Sequence, residues 1–86
     1  KYLARADKIS ICFDLPNEKG SLYHTLSHFI FNGLNMSRIE SRPLPGKNWE
    51  YRFFVDFAGN LREEAVQNAL VGLAAETRGL RILGNY

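Results

Sequence analysis

The run from Trp49 to Phe57 places a large apolar side chain at every second position. One parity holds Trp49, Tyr51, Phe53, Val55 and Phe57, and the other holds Glu50, Arg52, Phe54 and Asp56. A period of two is typical of a β-strand with one buried face. The run from Lys8 to Leu15 has the same period, so both segments predict strands. Their odd-numbered residues are expected to face the core.

Two other segments have apolar residues at helical spacing. The first, Ser21 to Asn32, is followed by Gly33, which suits the left-handed position that ends a helix. The second is predicted to begin with a capping box formed by Asn60 and Glu63, and to end near Gly79. The two apolar stripes consist of Leu22, Leu26, Phe29 and Ile30, and of Val66, Ala69, Leu70 and Leu73.

The remaining elements are two strands and two turns. A strand is predicted from Asn35 to Arg42, stopped by Pro43, and a last short strand from Leu80 to Leu83. Residues 16–20 and 45–48 are turns by composition. The element order βαββαβ predicts an α+β, ferredoxin-like sandwich, with a four-stranded antiparallel sheet and both helices on one face. We expect residues 1–7 to be a linker from an upstream domain, and residues 8–86 to be one folded domain.

Composition excludes several classes of protein. The chain has 86 residues, which is enough for one domain, and 45% of them are hydrophobic. It has no apolar run long enough to span a membrane, and no signal-peptide pattern. A net charge of +2 gives little attraction for nucleic acid. The only cysteine, Cys12, has no internal disulfide partner and is expected to be inert packing, which favours a cytoplasmic protein.

Two short segments are candidates for a small-molecule site. Gly20 precedes a helix whose first N–H groups are suited to a carboxylate, and Leu22 offers an apolar surface to a ligand side chain. Glu40 and Arg42 lie on the same side of a strand near its end, whereas Ser41 points toward the helices. On spacing alone, simpler interpretations stay open: Gly20 forms a turn, and Glu40 and Arg42 form a surface ion pair.

Other constellations carry weaker signals. His24 and His28 are one helical turn apart, but no glutamate or third ligand accompanies them, so we expect a solvated pair and no metal site. The RNA-recognition fold has the same topology and stacks bases on exposed aromatic residues of its third strand. Here only Phe54 is on the outward parity, between acidic neighbours, so RNA binding is disfavoured. An acylphosphatase-like enzyme needs an arginine in an anion-binding loop, and residues 17–20 contain none.

Four segments together resemble the ACT domain of prephenate dehydratase, including the type fused to chorismate mutase. They are Gly20 to Tyr23, Asn35 to Pro43, Trp49 to Phe57 and Leu83 to Tyr86. The resemblance covers nearly the whole chain after residue 7. It implies a regulatory domain that binds L-phenylalanine between paired copies and inhibits an attached prephenate dehydratase. It also implies a homo-oligomer, without distinguishing a dimer from a tetramer, and an upstream catalytic domain.

The resemblance assigns ligand-binding roles to nine residues. They are Gly20, Ser21, Leu22, Tyr23, Asn35, Glu40, Ser41, Arg42 and Pro43. Asn35 matches an asparagine that commonly faces the partner subunit. The chain departs from the family pattern at Lys19, where the family usually has proline, and at Ser21, where it usually has alanine. No catalytic residue and no cofactor is predicted, so the chain alone is expected to be catalytically silent. The regulatory domain of an aromatic amino-acid hydroxylase, which carries a similar Glu-Ser-Arg-Pro motif, is the alternative within the same class.

Overall fold

The computed structural model describes residues 7–16, 20–46 and 50–86. The expected linker up to residue 6, the turn at 17–19 and the hairpin turn at 47–48 therefore lie outside the described residues, as does Trp49. Four strands and two helices follow one another in the order βαββαβ. Their bounds are β1 Lys8–Pro16, α1 Ser21–Phe31, β2 Met36–Pro43, β3 Glu50–Ala58, α2 Glu64–Glu76 and β4 Arg78–Asn85.

The four strands form one antiparallel sheet in the order β2-β3-β1-β4. The inner strands β1 and β3 pair without interruption, from Lys8 opposite Ala58 to Pro16 opposite Glu50. The edge strands β2 and β4 each contain register shifts against their neighbours. This arrangement confirms the predicted ferredoxin-like sandwich.

The core lies between the sheet and the two helices. Odd-numbered residues of β1 and of the second half of β3 are buried there, as their parity predicts: Ile9, Ile11, Phe13, Leu15, Val55 and Phe57. The helices contribute Phe29 from α1 and Val66 and Leu73 from α2. The rings of Phe29 and Phe57 meet edge to face, with centroids 4.9 Å apart. We call the side of the sheet that is covered by helices the helix face, and the other side the outer face.

Helix α1 has the ends that the sequence predicts. It follows Gly20, whose φ of 86° is left-handed, and Gly33 has a φ of 68° just after its last residue. Both conformations are easily adopted only by glycine, because a Cβ would crowd the backbone. The glycines therefore fix where α1 begins and ends.

The predicted bounds of α2 are wrong by about one turn, and β4 is longer than predicted by two residues at each end. Asn60 and Glu63 do form a hydrogen-bonded turn, since the Asn60 N–H donates to Glu63 Oε1 (3.3 Å) and the Asn60 side-chain oxygen accepts from Arg62 N–H (2.9 Å). That turn precedes the helix, which begins only at Glu64. At the other end α2 stops at Glu76, and Gly79 lies inside β4 rather than at the helix end.

The expected solvated histidine pair is wrong for His28. His24 is exposed, but the His28 ring packs against Gly72 of α2, and its Nε2 lies 3.2 Å from Glu76 Oε1. A Cβ on Gly72 would come within 2.5 Å of His28 Nδ1. The two helices therefore approach closely at this glycine, and His28 is part of their contact.

Among the described residues, neither helix is long and apolar enough to cross a membrane.

Candidate functional site

Two of the predicted motifs lie at the same end of the sheet. The register places Leu15 of β1 and Pro43 of β2 on either side of Tyr51 in β3. Because α1 starts just after β1, the segment Gly20 to Tyr23 also begins at this end, which we call the Pro43 end. With about 4.8 Å between neighbouring strands, β1 and β2 are about 10 Å apart there. The fold thus places both motifs at the same end of the sheet.

The start of α1 is suited to an anion. No side chain caps it in the described part of the chain, and its first turn has no acidic residue. The first helical hydrogen bond runs from His24 N–H to the Gly20 carbonyl (2.9 Å). The N–H groups before it have no acceptor within the helix, and the helix dipole adds positive potential. A carboxylate is the kind of group that such an end binds.

The Glu40–Pro43 segment divides between the two faces of the sheet. Glu40 lies opposite Phe54 and Arg42 opposite Arg52, on the outer face. Ser41 lies opposite Phe53 and Pro43 opposite Tyr51, on the helix face. Because α1 packs on the helix face, Ser41 and Pro43 share a layer with the start of α1, whereas Glu40 and Arg42 do not.

The two charged residues of this segment do not pair with each other. Glu40 Oε1 accepts a hydrogen bond from Arg38 Nη1 at 2.7 Å. The Arg42 guanidinium lies over the ring of Phe54, with its Cζ 5.6 Å from the ring centroid. The ion pair of Glu40 is thus with the residue two positions before it, and Arg42 makes a cation–π contact instead.

A cleft of about 380 Å³ opens beside the start of α1. Its lining comes from the end of β1, the first turns of α1 and the end of α2: Leu15, Pro16, Ser21, His24, Thr25 and Glu76. It contains Ser21 of the first motif but no residue of the Glu40–Pro43 segment. The cleft therefore lies on the α2 side of α1, and β2 lies on the other side.

Asn35 is placed at the opposite end of the molecule, which we call the Lys8 end. Its carbonyl accepts a hydrogen bond from Ala58 N–H (2.8 Å), and it lines a second cleft of about 320 Å³ together with Asp7 and Gly59. From Asn35 to Pro43 the strand runs about 25 Å, at about 3.3 Å per residue. One copy of the chain does not bring Asn35 and the Pro43 end to the same small ligand.

The remaining candidates from the sequence are the metal ligands, Cys12 and Phe54. No group of three or more His, Cys, Asp or Glu side chains in the described ranges is arranged to hold a metal ion. Cys12 is buried, as expected for packing. Phe54, the outward aromatic residue of β3, is half-buried and already in contact with Arg42. It is thus not a free stacking platform for a base.

Comparison with known proteins identifies the family. The chain is 46% identical over 81 residues to the bifunctional chorismate mutase/prephenate dehydratase of Aquifex aeolicus, a match that covers 94% of the chain and 22% of that protein. A solved structure of prephenate dehydratase from Arthrobacter aurescens in complex with L-Phe superposes with a TM-score of 0.90 at 36% identity, covering 100% of the chain and 29% of that protein. Over nearly its whole length the chain corresponds to the regulatory part of prephenate dehydratases, and its fold matches that of an ACT domain.

Three further findings qualify this relationship. No family model matches the chain. The structure of GqqA, described as a novel type of quorum quenching acylase, also superposes on this ACT domain, with a TM-score of 0.88 and 28% identity over 94% of the chain and 42% of that protein. The chain spans only about a fifth of the length of its Aquifex aeolicus relative.

The structure of the ACT domain adds three residues that sequence reasoning did not select. Arg38 Nε donates to Asp56 Oδ2 at 2.9 Å, and Ser10 Oγ donates to Asp56 Oδ1 at 2.7 Å. The hydrogen bond from Ser10, followed by that from Arg38, holds the pKa of Asp56 below its ordinary value despite the opposing effect of burial. The signal in the sequence was the outward parity of Arg38, Glu40 and Asp56, which predicts opposite charges on adjacent strands of one face.

Proposed function

We propose that this chain binds L-phenylalanine and thereby inhibits a prephenate dehydratase to which it is joined, acting as a feedback sensor in the cytoplasm. The observation that supports the proposal is that the uncapped start of α1 lies at the same end of the sheet as Ser41 and Pro43, which are on its helix face. Family membership supports the choice of ligand, because a related prephenate dehydratase was solved with L-Phe. Those relatives also favour a dehydratase over an aromatic amino-acid hydroxylase.

Each part of the amino acid has a matching feature at the Pro43 end. The ligand carboxylate would accept hydrogen bonds from the first N–H groups of α1, with Gly20 leaving room for close approach. Ser41 offers a hydroxyl to the polar end of the ligand from the facing strand. The exposed ring of Tyr23 and the half-buried Leu22 offer apolar surface to the phenyl group.

A second copy is needed to enclose the ligand. Strand β2 is an edge strand, and all its residues after Met36 are exposed. Tyr23 and Ile30 of α1 are also exposed, at 74% and 65%. Unpaired edge strands with adjoining apolar surface favour pairing with another chain. Pairing of two β2 edges in antiparallel fashion would also carry Asn35 of one copy toward the Pro43 end of the other.

Titration of the chain with L-phenylalanine tests this proposal. We expect heat of binding by calorimetry, a higher melting temperature, and sedimentation as a homodimer or larger assembly with ligand. Saturating L-phenylalanine that leaves the heat, the melting temperature and the association state unchanged would contradict the proposal. The dehydratase activity is expected only when the catalytic domain is attached, and turnover of prephenate by the isolated chain would contradict that part.

A charge placed at the start of α1 separates ligand binding from folding. Ser21→Asp puts a carboxylate where the ligand carboxylate is proposed to bind, yet an acidic residue in the first turn is favourable for a helix. We expect the melting temperature to stay unchanged and the Kd to rise at least about fivefold, since one like charge at close range costs about 1 kcal/mol or more. Ser27→Asp, later in the same helix, is the matched control and should bind normally.

A further inference from the structure

A continuous series of side-chain hydrogen bonds crosses the outer face of the sheet. It starts at Glu40, continues through Arg38 (2.7 Å) to Asp56 (2.9 Å), and then reaches Ser10 (2.7 Å). Ser10 Oγ lies 3.2 Å from the Tyr86 hydroxyl. Ser10 has one hydroxyl proton and donates it to Asp56, so the Tyr86 hydroxyl is the donor in the last bond. We call this series, Glu40–Arg38–Asp56–Ser10–Tyr86, the outer-face chain.

The outer-face chain ends where the polypeptide enters the domain. The Tyr86 carbonyl accepts hydrogen bonds from both Asp7 N–H and Lys8 N–H, each at 2.9 Å. Asp7 is also held from the other side, because its carbonyl accepts from Gly59 N–H (2.8 Å). The position of Tyr86 thus helps to set the position of the residues through which any upstream domain is attached.

We propose that the outer-face chain transmits the occupancy of the amino-acid site to the polypeptide that precedes Asp7. The inference rests on the proposed function, because it takes the Pro43 end as the ligand site. It assigns Glu40 a positioning role, transmitting movement of β2, and leaves direct ligand contact to the helix face of that strand. Arg38, Asp56 and Ser10, none of which belongs to the ligand motifs, become positioning residues for regulation.

The geometry of β2 explains how a ligand would move the outer-face chain. Ser41 and Glu40 are consecutive, so a shift of the backbone that brings Ser41 toward a ligand on the helix face also moves Glu40 on the outer face. The register of β2 against β3 slips between Met36 and Arg38, which leaves this edge strand less firmly paired than β1 and β3. The two states of the domain therefore differ in the position of β2, which shifts when the ligand binds.

Asp56 is the middle residue of the outer-face chain and connects its two halves. Each of its carboxylate oxygens accepts one of the two bonds that join β2 to β1, Oδ2 from Arg38 and Oδ1 from Ser10. Asp56→Asn keeps the volume but removes the charge: its amide can turn the oxygen to Arg38 and the NH2 group to Ser10, so the ion pair between β2 and β3 is replaced by a weaker hydrogen bond to a neutral acceptor. Ser10→Ala breaks the following bond independently. A second ion pair on the same face, Arg52 with Asp14 (2.8 and 3.2 Å), is not part of the outer-face chain.

The test uses the full-length prephenate dehydratase that we propose carries this domain. For wild type, Asp56→Asn, Ser10→Ala and the matched control Asp14→Asn, three quantities are measured: the Kd for L-phenylalanine, the dehydratase activity remaining at saturating L-phenylalanine, and deuterium exchange of the Asp7 and Lys8 amides with and without ligand. For the two variants of the outer-face chain we expect Kd near the wild-type value and inhibition weakened by about 2- to 30-fold. We also expect their Asp7 and Lys8 amides to lose the ligand-dependent change in exchange.

The outcomes separate this inference from the function on which it rests. If wild type neither binds L-phenylalanine nor is inhibited by it, the proposed function is wrong, and this inference with it. If wild type is inhibited and both variants of the outer-face chain are inhibited equally well, only the transmission role is wrong. Equal weakening by Asp14→Asn would also overturn it, because the effect would then belong to the outer face in general. Should Asp56→Asn fail to fold, Ser10→Ala decides alone.

Discussion

The two faces of the sheet are built from different kinds of contact. On the helix face, Ile11, Val55 and Phe57 are fully buried against the helices. On the outer face, ion pairs and hydrogen bonds join the strands, and the side chains of Arg38 and Arg52 in them are 53% and 36% exposed. Burial of apolar area gives large, non-directional stabilisation, whereas exposed ion pairs contribute little energy but fix positions. We infer that the helix face holds the domain together, whereas the outer face adds specific contacts between strands that are already aligned.

The largest expected difference between the faces comes from removing one aromatic ring from each. Phe57→Ala on the helix face deletes a fully buried ring in contact with Phe29 and should lower the free energy of unfolding by about 3–5 kcal/mol. Phe54→Ala, three residues earlier on the outer face, removes a half-buried ring and should cost about 1–2 kcal/mol. Urea unfolding of both variants measures the difference. Equal losses of unfolding free energy would contradict the different roles that we infer for the two faces.

The buried cluster of the helix face was predictable from the alternation, although Tyr51 and Phe53 on the same parity are only half-buried and Cys12 on the other parity is buried. In β1 and β3, alternation alone identifies every strand residue that belongs to the buried core cluster. The ends of α2 were not predictable in the same way. Asn60 and Glu63 carry a helix-start pattern, yet they form a separate turn, and Gly79 is a strand residue with a φ of 60°. Turn and cap signals are local, and the pairing of β4 with β1 overrides them.

The second prediction concerns the helix layer that covers this face. Gly72→Ala would place a Cβ 2.5 Å from His28 Nδ1 and 2.6 Å from His28 Cε1, so either the His28 ring must move or the two helices must separate. We expect a loss of about 1–3 kcal/mol in unfolding free energy from this overpacking, although alanine is the better helix former. Thermal or urea unfolding measures it.

A double-mutant cycle provides the control for Gly72→Ala. In a His28→Ala background the clash is absent, so Gly72→Ala should become neutral or stabilising by up to about 1 kcal/mol. If the loss is the same in both backgrounds, close packing of His28 on Gly72 is not its cause.

The site, like the outer face, was only partly predictable from the sequence. The motif residues were found by resemblance, but spacing did not reveal that Glu40 bonds Arg38, nor that Arg42 lies over Phe54. Long side chains on an exposed face have several partners within reach, and only the register of β2 on β3 selects among them. The contribution of Asn35 from a second copy stays a prediction, because it depends on an assembly.

The third prediction uses pH to test the outer face. The hydrogen bond from Ser10 and the contacts with Arg38 lower the pKa of Asp56 from its ordinary value of 3.8. A carboxylate with a depressed folded-state pKa stabilises the fold above the unfolded-state pKa, and that contribution is lost as pH falls through the folded-state pKa. Asp56→Asn should therefore flatten the fall of unfolding free energy below about pH 4. Urea unfolding between neutral and acidic pH measures this, and parallel curves for variant and wild type would contradict it.

The smallest expected effect is at the contact of Arg42 with Phe54, a cation–π contact on the outer face. The guanidinium lies 5.6 Å from the ring centroid and is exposed, so Arg42→Gln should cost about 0.5–1 kcal/mol. Arg42→Lys keeps the charge but loses the planar group, and should retain part of the contact. In a Phe54→Leu background, Arg42→Gln and Arg42→Lys should lower the free energy of unfolding by equal amounts. Urea unfolding of each substitution in each of the two backgrounds measures this. If Arg42→Gln instead costs as much as Phe57→Ala, the outer face carries core-like stability and the contrast between the two faces is wrong.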